Sequence, residues 1–131
     1  MRIISNLLKA GSYSNQMNSE CIKISKAILE HSNDNKFNLS CLCNEVYMSK
    51  RKVQYILSDN NTSFKDLLLN SRVKMLKNTI DVGSSKSLSV LVQECGFGSL
   101  NSANKAFNNH FGLSVSEYKK SHERVSLTEH I

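Results

Sequence analysis

The run Leu91-Val92-Gln93-Glu94-Cys95-Gly96-Phe97-Gly98-Ser99-Leu100-Asn101-Ser102-Ala103 decides the fold. Leu88, Leu91, Val92 and Cys95 recur at three- and four-residue spacing, the mark of one buried stripe on a short helix. Gly96 breaks that helix, since glycine accepts the left-handed backbone on which helices commonly end. Phe97 is large and apolar and plugs a core. Ser99 is suited to an N-cap, where a hydroxyl accepts a hydrogen bond from an unpaired N–H of the first turn. Ala103, Ala106, Phe107 and Phe111 then return at helical spacing. A short helix, a tight turn and a capped helix, in that order, make a helix-turn-helix.

The plan occurs twice. Leu42-Cys43-x-x-Val46-Tyr47-Met48-Ser49-x-x-x-Val53 repeats Leu91-Val92-x-x-Cys95-Gly96-Phe97-x-Ser99-x-x-x-Ala103, with an apolar residue four places after the cap in each. In the earlier copy Leu39 opens the short helix, Tyr47 and Met48 make the tight connection, and Val53, Ile56 and Leu57 face inward after Ser49. The run Ser58 to Thr62 ends that helix. Between the copies, Ser63 opens a long helix with Asp66 three residues on. Its stripe of Phe64, Leu67, Leu68, Met75 and Leu76 reaches Ile80, and a polar loop follows from Asp81 to Lys86, with Gly83 as the stop.

Upstream, Ile22, Ile24, Ala27, Ile28 and His31 predict a helix over 19–31, stopped by the polar run 32–35. Downstream, Gly112 ends a helix, and Ser114 and Glu117 have the spacing of a capping box, predicting a last helix from Val115 through Tyr118. The chain has no proline and five glycines, which suits helices. The expectation is an all-α fold of about seven helices, two helix-turn-helix subdomains joined by a long linker helix. The expected divisions are a flexible arm over 1–18 with a short helix at Ile3 to Ala10, a first subdomain over 19–62, the linker helix over 63–80, a second subdomain over 81–121, and a frayed tail over 122–131.

Composition narrows the function. Lys and Arg number 17 against 11 Asp and Glu, a formal charge of +6 on 131 residues. Such a balance suits a polyanionic partner and says nothing of fold. No apolar run approaches the roughly 20 residues that cross a bilayer, so no membrane is expected. Met1 to Ala10 is too short and polar for a secretory leader. The expected location is cytoplasmic, on the nucleoid when DNA-bound.

Cys21, Cys41, Cys43 and Cys95 form no C-x-x-C pair, and the histidines complete no zinc spacing. The cysteines are expected as reduced thiols in or near the core, with no metal and no cofactor. No nucleophile, base and orienting group stand at readable spacing, and no glycine-rich phosphate loop is present, so an enzyme is not expected. His31, His110, His122 and His130 are expected at the surface or its boundary.

In a helix-turn-helix the second helix lies in the major groove of DNA, its N-terminal half against base edges. The first such helix begins Ser49-Lys50-Arg51-Lys52, followed by Gln54 and Tyr55. Lys and Arg meet phosphates or guanine edges, and Gln pairs with adenine. The second presents Leu100, Asn101, Ser102, Asn104 and Lys105, a polar and sparsely charged set.

From about Ser19 to Lys120 the chain resembles the DNA-binding domain of AraC/XylS-type regulators. The motif carrying the resemblance is Leu88-x-x-Leu91-Val92-x-x-Cys95-Gly96-Phe97-x-Ser99-x-x-x-Ala103-x-x-x-Phe107-x-x-x-Phe111-Gly112-x-Ser114-x-x-x-Tyr118-Lys119. Phe64-x-x-Leu67-Leu68-x-x-x-Arg72-Val73 resembles that family's linker helix. The chain departs from the pattern at Val115, where the family has Pro, and at Lys119, where it has Arg. Cys43, Val92 and Leu76 stand where Ala is usual, and Tyr47 occupies a turn that often carries Gly.

The resemblance implies two recognition helices entering successive major grooves about one DNA turn, ~34 Å, apart, so one chain covers an asymmetric site as a monomer. By position, the base-reading candidates are Arg51, Gln54, Tyr55, Leu100, Asn101, Asn104 and Lys105. The phosphate candidates are Ser49, Lys50, Lys52, Ser99 and Ser102. Leu100 has an equal claim to a core contact beside Phe97. The expected partners are double-stranded DNA and RNA polymerase, with no small-molecule ligand. A different class remains open: a protein-interaction module of the same fold, acting through RNA polymerase or another regulator with little specific DNA binding. Both a stand-alone regulator and a shortened relic of a larger one fit the brief segment before the first helix-turn-helix.

Overall fold

A computed structural model describes the backbone of residues 14–129 and the side chains of residues 19–123. Among these residues there are seven helices and no strand: α1 (Ser14–His31), α2 (Leu39–Val46), α3 (Lys50–Asp59), α4 (Phe64–Val82), α5 (Leu88–Glu94), α6 (Leu100–Phe111) and α7 (Val115–Glu129). The all-α expectation holds. The short helix expected at Ile3 to Ala10 lies outside the described residues.

The caps explain most of the boundaries. Asn38 Oδ1 accepts from Cys41 N at 2.9 Å, Ser49 Oγ from Lys52 N at 3.1 Å, and Ser99 Oγ from Ser102 N at 3.1 Å. Ser114 and Glu117 form the expected reciprocal box, Glu117 N donating to Ser114 Oγ and Ser114 N to a Glu117 carboxylate oxygen, both at 3.1 Å. Each such cap contributes about 1 kcal/mol. Gly96 and Gly112 adopt φ of 93° and 85°, the left-handed backbone expected after α5 and α6.

Three ends differ from the sequence reading. α1 already includes Ser14 to Asn18, inside the stretch read as an arm; these residues carry no apolar periodicity to announce a helix. α4 runs to Val82, since Asp81 pairs with Lys77 one turn back at 2.8 Å and the true stop is Gly83. α7 continues to Glu129, well past Tyr118 and through the stretch read as a frayed tail. That segment has neither glycine nor proline to end it.

The described residues form two compact units, 14–31 with 37–68, and 32–36 with 69–129. The first has its own core of Cys21, Ile24, Ala27, Ile28, Phe37, Leu42, Val46, Val53, Ile56, Leu57 and Leu68. Ile22, expected on that apolar face, is exposed. The second unit is built on Val73, Leu76, Ile80, Leu91, Val92, Cys95, Phe97, Ala103, Phe107 and Val115. Phe97 and Phe107 are its largest fully buried side chains. Burying side chains of this size stabilises by about 1.5–3 kcal/mol apiece.

Residues 32–36 join the second unit through Arg72. Its Nε donates to Ser32 O at 2.7 Å and its Nη2 to Asp34 O at 2.9 Å. Burial pulls the guanidinium below the ordinary arginine pKa, with the Asp34 charge opposing; it remains charged, so the two carbonyls are its compensation. Gly96 packs against the same place: a Cβ there would collide with Ser32 O and lie 2.7 Å from Arg72 Nε. Glycine is therefore required both by conformation and by the close approach.

Candidate nucleic-acid interface

In the first unit α2, a tight turn and α3 follow one another as the spacing predicts. Val53, Ile56 and Leu57 are buried, and Lys50, Arg51, Lys52, Gln54 and Tyr55 are exposed around them. The 3.6-residue period thus sorts this helix into a core stripe and a polar outer face carrying two lysines, an arginine, an amide and a phenol. Arg51, Gln54 and Tyr55 share the outer face. Lys52 differs: its ammonium lies 2.6 Å from a Glu20 carboxylate oxygen on α1. The cation expected to meet phosphate is thus paired within the protein, with a partner too far along the chain for any local pattern to announce it.

The turn into α3 is made by Tyr47, with φ 56° and ψ 43°, its N–H donating to Cys43 O. A left-handed tyrosine is uncommon, and glycine would take this position without strain. The residue is 90% exposed, and Lys23 Nζ sits 5.9 Å from the ring centroid. Sequence reasoning had only the absence of glycine as a signal here.

In the second unit α5, Gly96-Phe97-Gly98 and α6 repeat the arrangement. Asn101, Ser102 and Lys105 are exposed. Leu100 is half-buried and packs against the core. Asn104 is half-buried, and its Oδ1 accepts from Val115 N at 3.0 Å. That amide oxygen thus supports the start of α7. The cause is local. Val115 stands where the family has Pro, so it carries an N–H that Pro would lack, and Asn104 supplies its acceptor. Ser99 and Ser102 bond each other through their hydroxyls at 3.0 Å.

A further polar cluster of the second unit is centred on Asp81. Lys77 Nζ lies 2.8 Å from one carboxylate oxygen, Tyr118 donates its hydroxyl to the other, and His122 Nε2 is 3.8 Å away. The bonds from Lys77 and Tyr118 hold the Asp81 carboxyl below the usual range. His31 lies 3.5 Å from Glu45 and stacks on Phe37, and His110 is exposed; both fit a surface or boundary role. His130 lies outside the described residues. Cys21 and Cys95 are buried, and burial raises both thiols. Cys41, by contrast, is exposed and not near the core. No helix among the described residues is long and apolar enough to cross a membrane.

The family described as "Helix-turn-helix domain" matches residues 42–121, from α2 into α7. The chain belongs to the AraC/XylS-type helix-turn-helix family. Among similar proteins, the HTH-type transcriptional regulator YdeO of Escherichia coli K12 is 29% identical over 92 residues, 70% of this chain and 36% of that protein. YdeO of Shigella flexneri is 30% identical over 84 residues, 64% of this chain and 32% of that protein. This AraC/XylS-type chain therefore spans about a third of the length of the curated relatives it matches. Solved structures with the same fold include the following two. A DNA-binding transcriptional dual regulator from Escherichia coli K-12 has a TM-score of 0.70 at 20% identity, over 78% of this chain and 90% of that one. The DNA-binding domain of AdpA, a global transcriptional factor, solved in complex with a target DNA, has a TM-score of 0.69 at 22% identity, over 79% and 92%.

Proposed function

We propose that this chain is a sequence-specific, double-stranded DNA-binding transcriptional regulator that places α3 and α6 in successive major grooves. The observation that carries this reading is the outer face of α3, where Lys50, Arg51, Gln54 and Tyr55 stand exposed around a buried Val53, Ile56 and Leu57. Arginine and glutamine on one exposed helix face supply bidentate donors and acceptors for guanine and adenine edges, and the neighbouring lysines supply phosphate contacts. On α6 the readers are Asn101 and Lys105, with Asn104 serving α7. The AdpA domain, which shares this fold, was solved on a target DNA, and that complex supports DNA as the partner. The net charge of +6 agrees with it. The similarity to YdeO, a transcriptional regulator, supports a role in transcription regulation.

A second reading is favoured by α6, whose exposed face carries one cation, Lys105, while Asn104 and Leu100 are turned to structural use. On that reading the second unit contacts RNA polymerase or another regulator, and the first unit alone holds DNA. Selection of bound sequences from a random duplex pool, at two salt concentrations, separates the two. A motif of two blocks about one turn apart supports two-headed recognition. A single block, altered by Arg51→Ala and indifferent to Lys105→Ala, supports the second. Binding without any sequence preference, abolished by modest salt, overturns specific readout in both.

A further inference from the structure

Tyr47 combines two features that seldom coincide. Its backbone is left-handed, at φ 56°, which costs free energy for any residue with a Cβ and none for glycine. The residue is 90% exposed, so burial in the core does not offset that cost. A strained, solvent-facing aromatic at the entrance to a recognition helix is a reason to look for work outside the fold. Lys23, one turn along α1 from Glu20, brings its ammonium to 5.9 Å from the ring centroid. Glu20 lies on Lys52, while Glu45, 3.5 Å from His31, lines with Glu30 the same groove as Lys23. Glu30 is exposed on α1, seven residues from Lys23.

We infer that Tyr47 and Lys23 form a second DNA contact of the first unit, gripping the sugar-phosphate backbone beside the groove that α3 enters. The inference rests on the DNA-binding reading above. The phenol O–H donates to a phosphate oxygen, the ammonium supplies charge to the same or the adjacent phosphate, and the ring lies against the sugar. Such contacts fix register and add affinity without reading sequence. The cation over the ring holds the two side chains as one platform before DNA arrives.

The test uses the full chain and a duplex carrying the sequence that the wild type selects from the random pool. Tyr47→Gly removes the side chain and the backbone strain together, so its melting temperature should hold or rise while its affinity falls about tenfold. Tyr47→Phe should lose most of that affinity through the hydroxyl alone. Lys23→Ala should weaken binding to preferred and random duplexes alike and reduce the salt slope by about 1. Affinity unchanged within about twofold in Tyr47→Gly, in a chain that still loses sequence preference on Arg51→Ala, overturns this contact and leaves the DNA-binding reading intact. Wild type without salt-sensitive duplex binding overturns both.

Discussion

The ammonium of Lys52, in the first turn of α3, lies 2.6 Å from a carboxylate oxygen of Glu20 on α1. The pair is partly exposed, at 50% and 21% of the two side chains, so its contribution to stability is small, about 0–1 kcal/mol. Its consequence for binding is larger, since a phosphate must compete with Glu20 for this lysine. Glu20→Gln should leave the melting temperature close to wild type and tighten binding to random duplex. Its salt dependence should steepen by roughly one phosphate contact. Fluorescence anisotropy across a salt series checks this; unchanged affinity would mean that Lys52 does not face DNA.

Arg51 is exposed next to that pair. Arg51→Ala should cost about 1–3 kcal/mol on the preferred site and much less on random DNA. Equal losses on the two would show that Arg51 serves the backbone and not a base.

Two glycines with the same backbone conformation should respond differently to a methyl group. Gly112→Ala meets nothing within 4 Å and bears only the left-handed strain, about 1 kcal/mol. Gly96→Ala adds a collision with Ser32 O and Arg72 Nε, so about 3 kcal/mol or more should be lost in urea unfolding. Similar losses at both sites would refute the close approach.

Val92 is 1% exposed. Val92→Asp places a carboxylate among Phe97, Leu91 and Leu76 in that core and should unfold the second unit. Near-native circular dichroism and a wild-type melting curve would contradict the assignment.

The Asp81 cluster predicts an acid-side dependence. Its folded pKa is lowered, first by the bond from Lys77 and then by that from Tyr118. A lowered carboxyl contributes stability that is complete above its ordinary value of about 4 and is lost as pH falls through the folded value. Asp81→Asn should therefore flatten the stability profile below about pH 4 and change little near neutrality beyond the loss of the pair. Tyr118 has the opposite sign: its pKa is raised, by burial first and by Asp81 second. Its contribution is complete below the ordinary tyrosine value of about 10 and is lost as pH rises through the folded one. Equilibrium unfolding at several pH values reads both.

What can be read from the sequence is local. Ser49, Ser99 and the Ser114–Glu117 box declare helix starts because a cap is a contact across three residues, and Gly96 and Gly112 declare ends through backbone freedom. The outer face of α3 follows from helical period alone. The contacts that span the chain leave no periodic trace: Glu20 with Lys52, which engages a cation of the interface, and Arg72 with Ser32, which anchors residues 32–36. The acceptor role of Asn104 could not be read from its position on α6, because it depends on an N–H eleven residues on. The helical stretches at Ser14 to Asn18 and beyond Ser121 escape a sequence reading because polar segments carry no stripe to count.

The guanidinium of Arg72 draws its two acceptors from carbonyls that precede α2 in the chain. Residues 42–121 hold both helix-turn-helix copies, yet a fragment cut to that length would strand this cation in a dry niche. Spatial units and excisable modules are thus different things in this molecule: the natural scissor marks suggested by the duplication run through the support of the second copy. A graft of that copy into another scaffold must carry a surrogate for five residues that lie upstream of the first.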